Sequence, residues 1–252
     1  MQLKAPSTLV IFDYDGSLVN DDSDVFLYKR LCPELGEKLL VRMEYEPAWP
    51  PVVDEILGEF HEKEPHVTPR DIEDALAQIP ILPRMLDALR LAVDEHGATV
   101  NVISDSNVFF IRSMLEHRGL TAYVSEVFAN PVEFETDPTR LRVRLYHPET
   151  EKPHGCALCP KNMCKGSILD GIRAKTAFDR VVYVGDGKGD FCPALRLTSN
   201  DVVLARIIDP DGKPCELLRR LTVHADQVRA RVVPWDSGED VFRFIHEELI
   251  AQ

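Results

Sequence analysis

Four short, largely β-branched apolar runs, Leu9 to Phe12, Val100 to Ile103, Val181 to Val184 and Val202 to Leu204, each give way abruptly to an acidic or small residue. Apart from Asn101 they are continuous and apolar, the pattern of strands buried on both faces in a parallel sheet. Helical patterns separate them. Met85, Leu86, Leu89 and Val93 recur at helical steps and run into His96-Gly97, and Phe110, Ile111, Met114 and Leu115 do the same before Arg118-Gly119. Ile168, Leu169 and Ile172 share one helical face, as do Val241, Phe244 and Ile245. Strands alternating with helices predict an α/β fold, a Rossmann-like, doubly wound parallel sheet.

One interval breaks the alternation. Residues 19–82 carry helical segments, many charges and the Pro-rich stretch Pro47-Ala48-Trp49-Pro50-Pro51. They are expected to form a mainly helical cap inserted after the first strand, with residues 1–18 and 83–252 forming the core domain. Ligands in open α/β sheets bind beyond the carboxyl ends of the strands, where an insert leaving strand one forms a roof.

The chain has 252 residues, 44% of them apolar, enough for a substantial core. Its formal net charge of −13 disfavours nucleic acid and anionic membrane surfaces as partners. The first ten residues hold only a short apolar run, fitting neither a signal peptide nor a membrane span, and a cytoplasmic protein is expected. Of six cysteines, Cys156, Cys159 and Cys164 cluster in sequence while Cys32, Cys192 and Cys215 stand alone.

The polar residues at the strand ends carry the chemistry. Asp13 and Asp15 follow the first strand two residues apart, a spacing that directs both carboxylates to one pocket in extended chain. Alone, such a pair also describes a solvated strand end. The second strand ends in Ser104-Asp105-Ser106-Asn107, and the third in Gly185-Asp186-Gly187-Lys188-Gly189-Asp190. Between these lies Lys165, at the expected start of a helix, where its charge and the helix N-terminus both attract an anion.

An acid pair, Ser-Asp, Lys and Gly-Asp-Gly-x-x-Asp in that order resemble the four motifs of the haloacid dehalogenase superfamily. More narrowly, Phe12-Asp13-Tyr14-Asp15-Gly16-Ser17, Asp22-Ser23-Asp24, Ile103-Ser104-Asp105-Ser106-Asn107, Cys156-Ala157-Leu158-Cys159-Pro160, Asn162-Met163-Cys164-Lys165-Gly166, Tyr183 to Asp186-Gly187, Asp190 to Pro193 and Val232-Val233-Pro234-Trp235 resemble the phosphoethanolamine/phosphocholine phosphatase (PHOSPHO-type) family. Ser17 stands where Thr is usual there, and Gly16 where a larger residue is.

The resemblance implies Mg2+-dependent hydrolysis of a small phosphorylated metabolite through an aspartyl-phosphate. Like charges at about 4 Å repel by about 4 kcal/mol at an effective dielectric of about 20, so a phosphate dianion needs cations beside Asp13, Asp15 and Asp186. By resemblance, Asp13 is the nucleophile and Asp15 the acid and base, with Ser104 and Lys165 holding the phosphoryl group. Mg2+ falls to Asp13, Asp15 through its main-chain carbonyl, and Asp186, supported by Asp190. Ser17, Asp24 and Asp105 are expected to bind substrate, the last two near its organic end. Candidate substrates are phosphoethanolamine, phosphocholine, pyridoxal phosphate and thiamine monophosphate. A phosphotransferase or pyrophosphatase of the same fold, and a non-catalytic phosphate-binding protein, are the rival readings.

Two further features each carry two readings. His154, Cys156, Cys159 and Cys164 form a short local set suited to structural Zn2+, or are reduced thiols packing the loop that presents Lys165. Trp49 and Tyr45 either stack over an organic head or pack within the cap.

Overall fold

The computed structural model describes residues 7–45, 49–136, 139–148 and 154–249, with no account of the side chains of 43–45. Six parallel strands form the main sheet in the order β3-β2-β1-β6-β7-β8: β1 Thr8–Phe12, β2 Thr99–Asn107, β3 Glu126–Asn130, β6 Arg180–Gly185, β7 Val202–Arg206 and β8 Arg231–Trp235. The four apolar runs lie in β1, β2, β6 and β7, the inner strands, where both faces are covered.

Alternate residues of these strands enter opposite cores. Val10, Phe12, Val100, Val102, Val182, Val184 and Leu204 pack against α5 (Met85–Asp94), α6 (Val108–His117) and α10 (Gly238–Glu248). Leu9, Ile11, Ile103, Val181, Tyr183 and Val203 pack against α7 (Lys165–Lys175), α8 (Phe191–Arg196) and α9 (Glu216–Val223). Each fully buried Leu, Ile or Phe contributes about 1.5–3 kcal/mol, so the two-sided pattern fixes sheet position and helix placement together. The predicted helix stops hold: α5 and α6 end just before Gly97 and Gly119, both at positive φ.

A third core lies over the sheet's carboxyl edge. Its helices α1 (Ser23–Leu31), α2 (Pro33–Tyr45), α3 (Trp49–Lys63) and α4 (Pro69–Leu76) follow β1 directly, forming the helical cap. Asp22 caps α1 by accepting from Val25 N at 2.9 Å, and Thr68 and Asp71 form a capping box on α4. The Pro-rich stretch is partly outside the described residues, but Pro50 and Pro51 lie in the first turn of α3, where a missing N–H breaks no helical bond. The antiparallel hairpin of β4 (Val132–Glu135) and β5 (Arg140–Val143) joins this core through Leu141 and Val143. It is tied to α3 where Arg142 grips Asp54 and Leu141 N donates to His61 Nε2 at 3.0 Å.

The strand order reverses at β1, which pairs with β2 on one side and β6 on the other. The carboxyl ends of these three strands converge at that switch point, the place where an open α/β sheet leaves a crevice.

Candidate active site

Asp13 follows β1 and is held there from both sides of the peptide: its N donates to Val184 O at 2.9 Å, and its Oδ1 accepts from Tyr14 N at 2.7 Å. The chain then curls through a tight turn over Tyr14–Leu18, in which Leu18 N returns to Asp13 O. Gly16 makes the curl possible, because its φ of 66° is left-handed and a Cβ there would stand 2.5 Å from Asp186 Oδ2. Arg206 braces the same turn from β7, donating to Gly16 O and Asn20 Oδ1 at 2.6 Å each.

Lys165, the first residue of α7, reaches across to Asp13 Oδ2 at 2.6 Å and Asp190 Oδ1 at 2.9 Å, and all three are buried. Asp190 also accepts from Tyr183 OH at 2.8 Å, Asp186 N at 3.1 Å and Gly187 N at 3.0 Å. Ser17 Oγ donates to Asp186 Oδ1 at 2.8 Å. Ser104 is fully buried in β2, three residues before its end, its hydroxyl accepting from Ser106 N.

Carboxylates outnumber cations in this cluster, and their protonation shows it. Burial, then Asp190, pushes Asp13 well above the usual carboxylate range against the opposing pull of Lys165. Burial and Asp190 likewise push Asp186 up to about 7. Carboxyl oxygens of Asp13, Asp186 and Asp190 lie within 4.8 Å of one another. Hard oxygen donors that repel one another at this range fit a divalent cation such as Mg2+.

A second acidic group faces the cap. Asp15 Oδ1 accepts from Ser23 N at 2.8 Å, and burial followed by Asp22 and Asp24 raises its pKa well above normal. Asp22 rises to about 6 for the same first cause. Asp24 is buried on α1, where Oδ2 accepts from Trp49 Nε1 at 3.1 Å while Oδ1 meets no donor among the described residues. The hydroxyls of Tyr14 and Tyr28 are also unpaired among the described residues, and the charge of Asp24 acts on both. Asp105 is exposed on the same edge, and its charge acts on Asp13, Asp22 and Asp24. Trp49 packs against the cap core and also holds Asp24; the Tyr45 side chain lies outside the described residues.

The cysteine expectation needs correction. Cys192, read as standing alone, joins Cys156, Cys159 and Cys164, whose sulfurs lie within 4.8 Å of one another with its own. His154 is not one of the four: its Nε2 pairs with Pro160 O at 2.8 Å. A search along the local C-x-x-C segment misses Cys192 because α8 brings it in from 28 residues beyond Cys164. Tyr183 and Arg206 were also missed as polar partners. Each sits in an apolar strand, and such an interruption is the signal that could have found them.

The Putative Phosphatase family matches residues 8–249. The chain belongs to this family. Among curated members, an Arabidopsis thaliana thiamine phosphate phosphatase-like protein is 31% identical over 94% of this chain and 93% of its own length. Inorganic pyrophosphatase 1 of Arabidopsis thaliana is 36% identical over 91% and 75%. The Homo sapiens phosphoethanolamine/phosphocholine phosphatase is 34% identical over 97% and 90%. A phosphoserine phosphatase solved as a phospho-aspartyl intermediate analogue superposes with a TM-score of 0.61, covering 95% of this chain and 99% of that one at 15% identity. The chain thus has the haloacid dehalogenase fold, with its helical cap after strand one. Among the described residues no helix is long and apolar enough to cross a membrane.

Proposed function

We propose that the chain hydrolyses a small phosphomonoester whose organic part is cationic, using Mg2+ and an aspartyl-phosphate formed on Asp13. The observation that carries this reading is Asp13 held by Lys165 at 2.6 Å at the sheet's switch point, with Asp15 two residues away on the cap side. Mg2+ would be held by Asp13, the Asp15 carbonyl and Asp186, and when bound it neutralises phosphate charge so that an anionic nucleophile can approach.

An Asp13 carboxylate oxygen forms a bond to phosphorus as the ester oxygen leaves in line. Lys165 and the Ser104 hydroxyl hold the nonbridging oxygens. Asp15, whose raised pKa keeps a proton available, gives that proton to the leaving oxygen. It then takes one from the water that attacks the aspartyl-phosphate, releasing inorganic phosphate and restoring Asp13. Ser17 keeps Asp186 aimed, and Asp190 anchors Lys165.

Asp24 and Asp105 set the leaving group. A buried carboxylate oxygen with no donor is costly unless a ligand supplies a donor or a positive charge; a primary ammonium supplies both and a quaternary ammonium the charge alone. This wall favours phosphoethanolamine, phosphocholine or thiamine monophosphate, and it repels the second phosphate of pyrophosphate. Phosphate release from these compounds, pyridoxal phosphate, pyrophosphate and phosphoserine tests the reading. Asp24→Asn should raise KM for the cationic esters about tenfold, on the order of 1.4 kcal/mol, while sparing a neutral ester. Preference for pyrophosphate in the wild type would overturn the substrate assignment.

Gly16→Ala places a methyl group against Asp186 in a left-handed backbone. The Mg2+ concentration for half-maximal turnover should rise by about 10-fold or more, since groups that aim a metal ligand are typically worth that much. A Mg2+ titration with unchanged half-saturation would remove Asp186 from the metal's surroundings.

Protonation gives an independent check. The folded pKa of Asp186, about 7, exceeds the unfolded value of about 3.9, so stability from its protonated form is lost as pH rises through about 7. Mg2+ competes with that proton and relieves the same repulsion. The rise in Tm on replacing EDTA with Mg2+ should therefore be larger at pH 8 than at pH 6, by about 3–6 °C in thermal melts. An equal rise at both pH values would separate the metal from these carboxylates.

A further inference from the structure

Cys156, Cys159 and Cys164 precede α7, and Cys192 lies in the first turn of α8, yet their sulfurs meet. Cys192 Sγ lies 3.6 Å from Cys156 Sγ and 3.6 Å from Cys164 Sγ. A disulfide would bring two sulfurs to about 2.05 Å, and all six cysteines of the chain are free. Four sulfurs each about 2.3 Å from a central zinc stand about 3.8 Å apart along the edges of a tetrahedron, which is close to the spacing seen.

Two features place positive potential beside the sulfurs. Cys164 caps α7, its Sγ accepting from Ser167 N at 3.3 Å, so a helix N-terminus faces the sulfurs. The Arg196 guanidinium lies beside Cys192 and supplies positive charge. A Cβ on Gly166 would stand 2.7 Å from Cys192 Sγ, so the missing side chain is what lets that sulfur approach α7. Cys156 and Cys159 are only half-buried, which leaves a way in for an ion.

We propose that Cys156, Cys159, Cys164 and Cys192 form a closed tetrahedral zinc site that clamps the N-terminus of α7 to α8. On binding, four thiols release four protons and the zinc tetrathiolate carries two negative charges, offset by Arg196 and the Ser167 N–H. Soft thiolates select zinc, whereas the Asp13, Asp186 and Asp190 cluster presents only hard oxygens, so the two sites take different ions. The clamp's place explains its use. Cys164 immediately precedes Lys165 and Cys192 follows Asp190 by two residues, so one ion pins both chain segments that supply the Lys165–Asp190 pair. His154 serves by tying its loop to Pro160 and stays off the metal.

The test uses the full chain expressed with zinc and dialysed against Mg2+ without added zinc. Metal analysis should find one zinc per chain, unchanged in Asp186→Asn and lost in Cys159→Ser and Cys192→Ser. Cobalt exchanged for zinc should show thiolate-to-metal charge transfer and the strong visible bands of a tetrahedral site. Cobalt among carboxylates would give only weak octahedral bands. No zinc in the wild type, zinc retained in both serine variants, zinc lost from Asp186→Asn, or a cobalt spectrum without thiolate bands would each overturn the proposal. Where a serine variant fails to fold, the wild-type cobalt spectrum decides alone. None of these readings depends on turnover.

Discussion

Asp13→Asn is expected to lower turnover by about 10⁴-fold or more, because an amide oxygen cannot form the acyl-phosphate and no neighbour substitutes for it. Asp15 is the nearest acid in sequence, but its carboxylate is tied to Ser23 N on the cap side, while Lys165 contacts Asp13 and Asp190. Asp190 cannot attack in its place, since it is fully buried and accepts from Lys165, Tyr183 and two main-chain N–H groups. The same substitution should make the metal-free chain more stable. Asp13 sits among Asp190, Asp186 and Asp105, and the net effect of burial and these charges opposes its ionisation. Replacing it with a neutral isostere removes that repulsion, so Tm in EDTA should rise while turnover vanishes, the usual opposition of stability and activity at a strained site. Phosphate-release assays and thermal melts on one preparation check both. Undiminished turnover would remove Asp13 from the nucleophile's role.

Why the core was legible in the sequence, and the cap and hairpin less so, follows from the kind of burial each uses. Inner strands of a parallel sheet must be apolar on both faces, so β1, β2, β6 and β7 announce themselves as runs. The edge strand β3 is half exposed and carries Glu126 and Asn130, and β8 includes Pro234, so neither forms such a run. The hairpin β4–β5 does alternate, Val132-Glu133-Phe134-Glu135 and Arg140-Leu141-Arg142-Val143, but over only four residues per strand, the lower limit at which an alternation reads as a strand. At the site, Asp13, Lys165, Asp186 and Asp190 could be grouped from the sequence because strand ends and helix starts converge by topology, and the fold brings these four together. The contacts that orient them were not: Arg206 reaching Gly16 spans 190 residues, and Cys192 reaching Cys164 spans 28. Spacing in sequence gives no hint of such pairs, since only the folded sheet brings them within reach.

Lys165→Met tests the other half of the ion pair and should fail in a different way. Lys165 is 4% exposed and shares its charge between Asp13 and Asp190, so a methionine of similar length leaves two buried carboxylates facing each other without a cation. Removing one partner of a buried ion pair typically costs about 3–5 kcal/mol, which here lowers Tm by about 6–15 °C. Turnover should fall by about 10²–10³-fold, the usual loss when one donor to the reacting oxygens is removed. Arginine should not rescue it, because a planar fork cannot take the place of a compact ammonium in a fully enclosed position. Stability and catalysis separate in the double variant Lys165→Met/Asp190→Asn. The oxygen of the introduced amide would still accept from the N–H groups of Asp186 and Gly187, and its nitrogen would face Tyr183 OH, so the extra negative charge left by Lys165→Met is cancelled without breaking that network. Tm should return most of the way to the wild-type value while turnover stays low, because the Lys165 ammonium no longer draws charge from the transferring phosphoryl group. Recovery of turnover along with Tm would mean that Lys165 serves only to balance charge, and the cation that holds the phosphate would have to be sought elsewhere in the site.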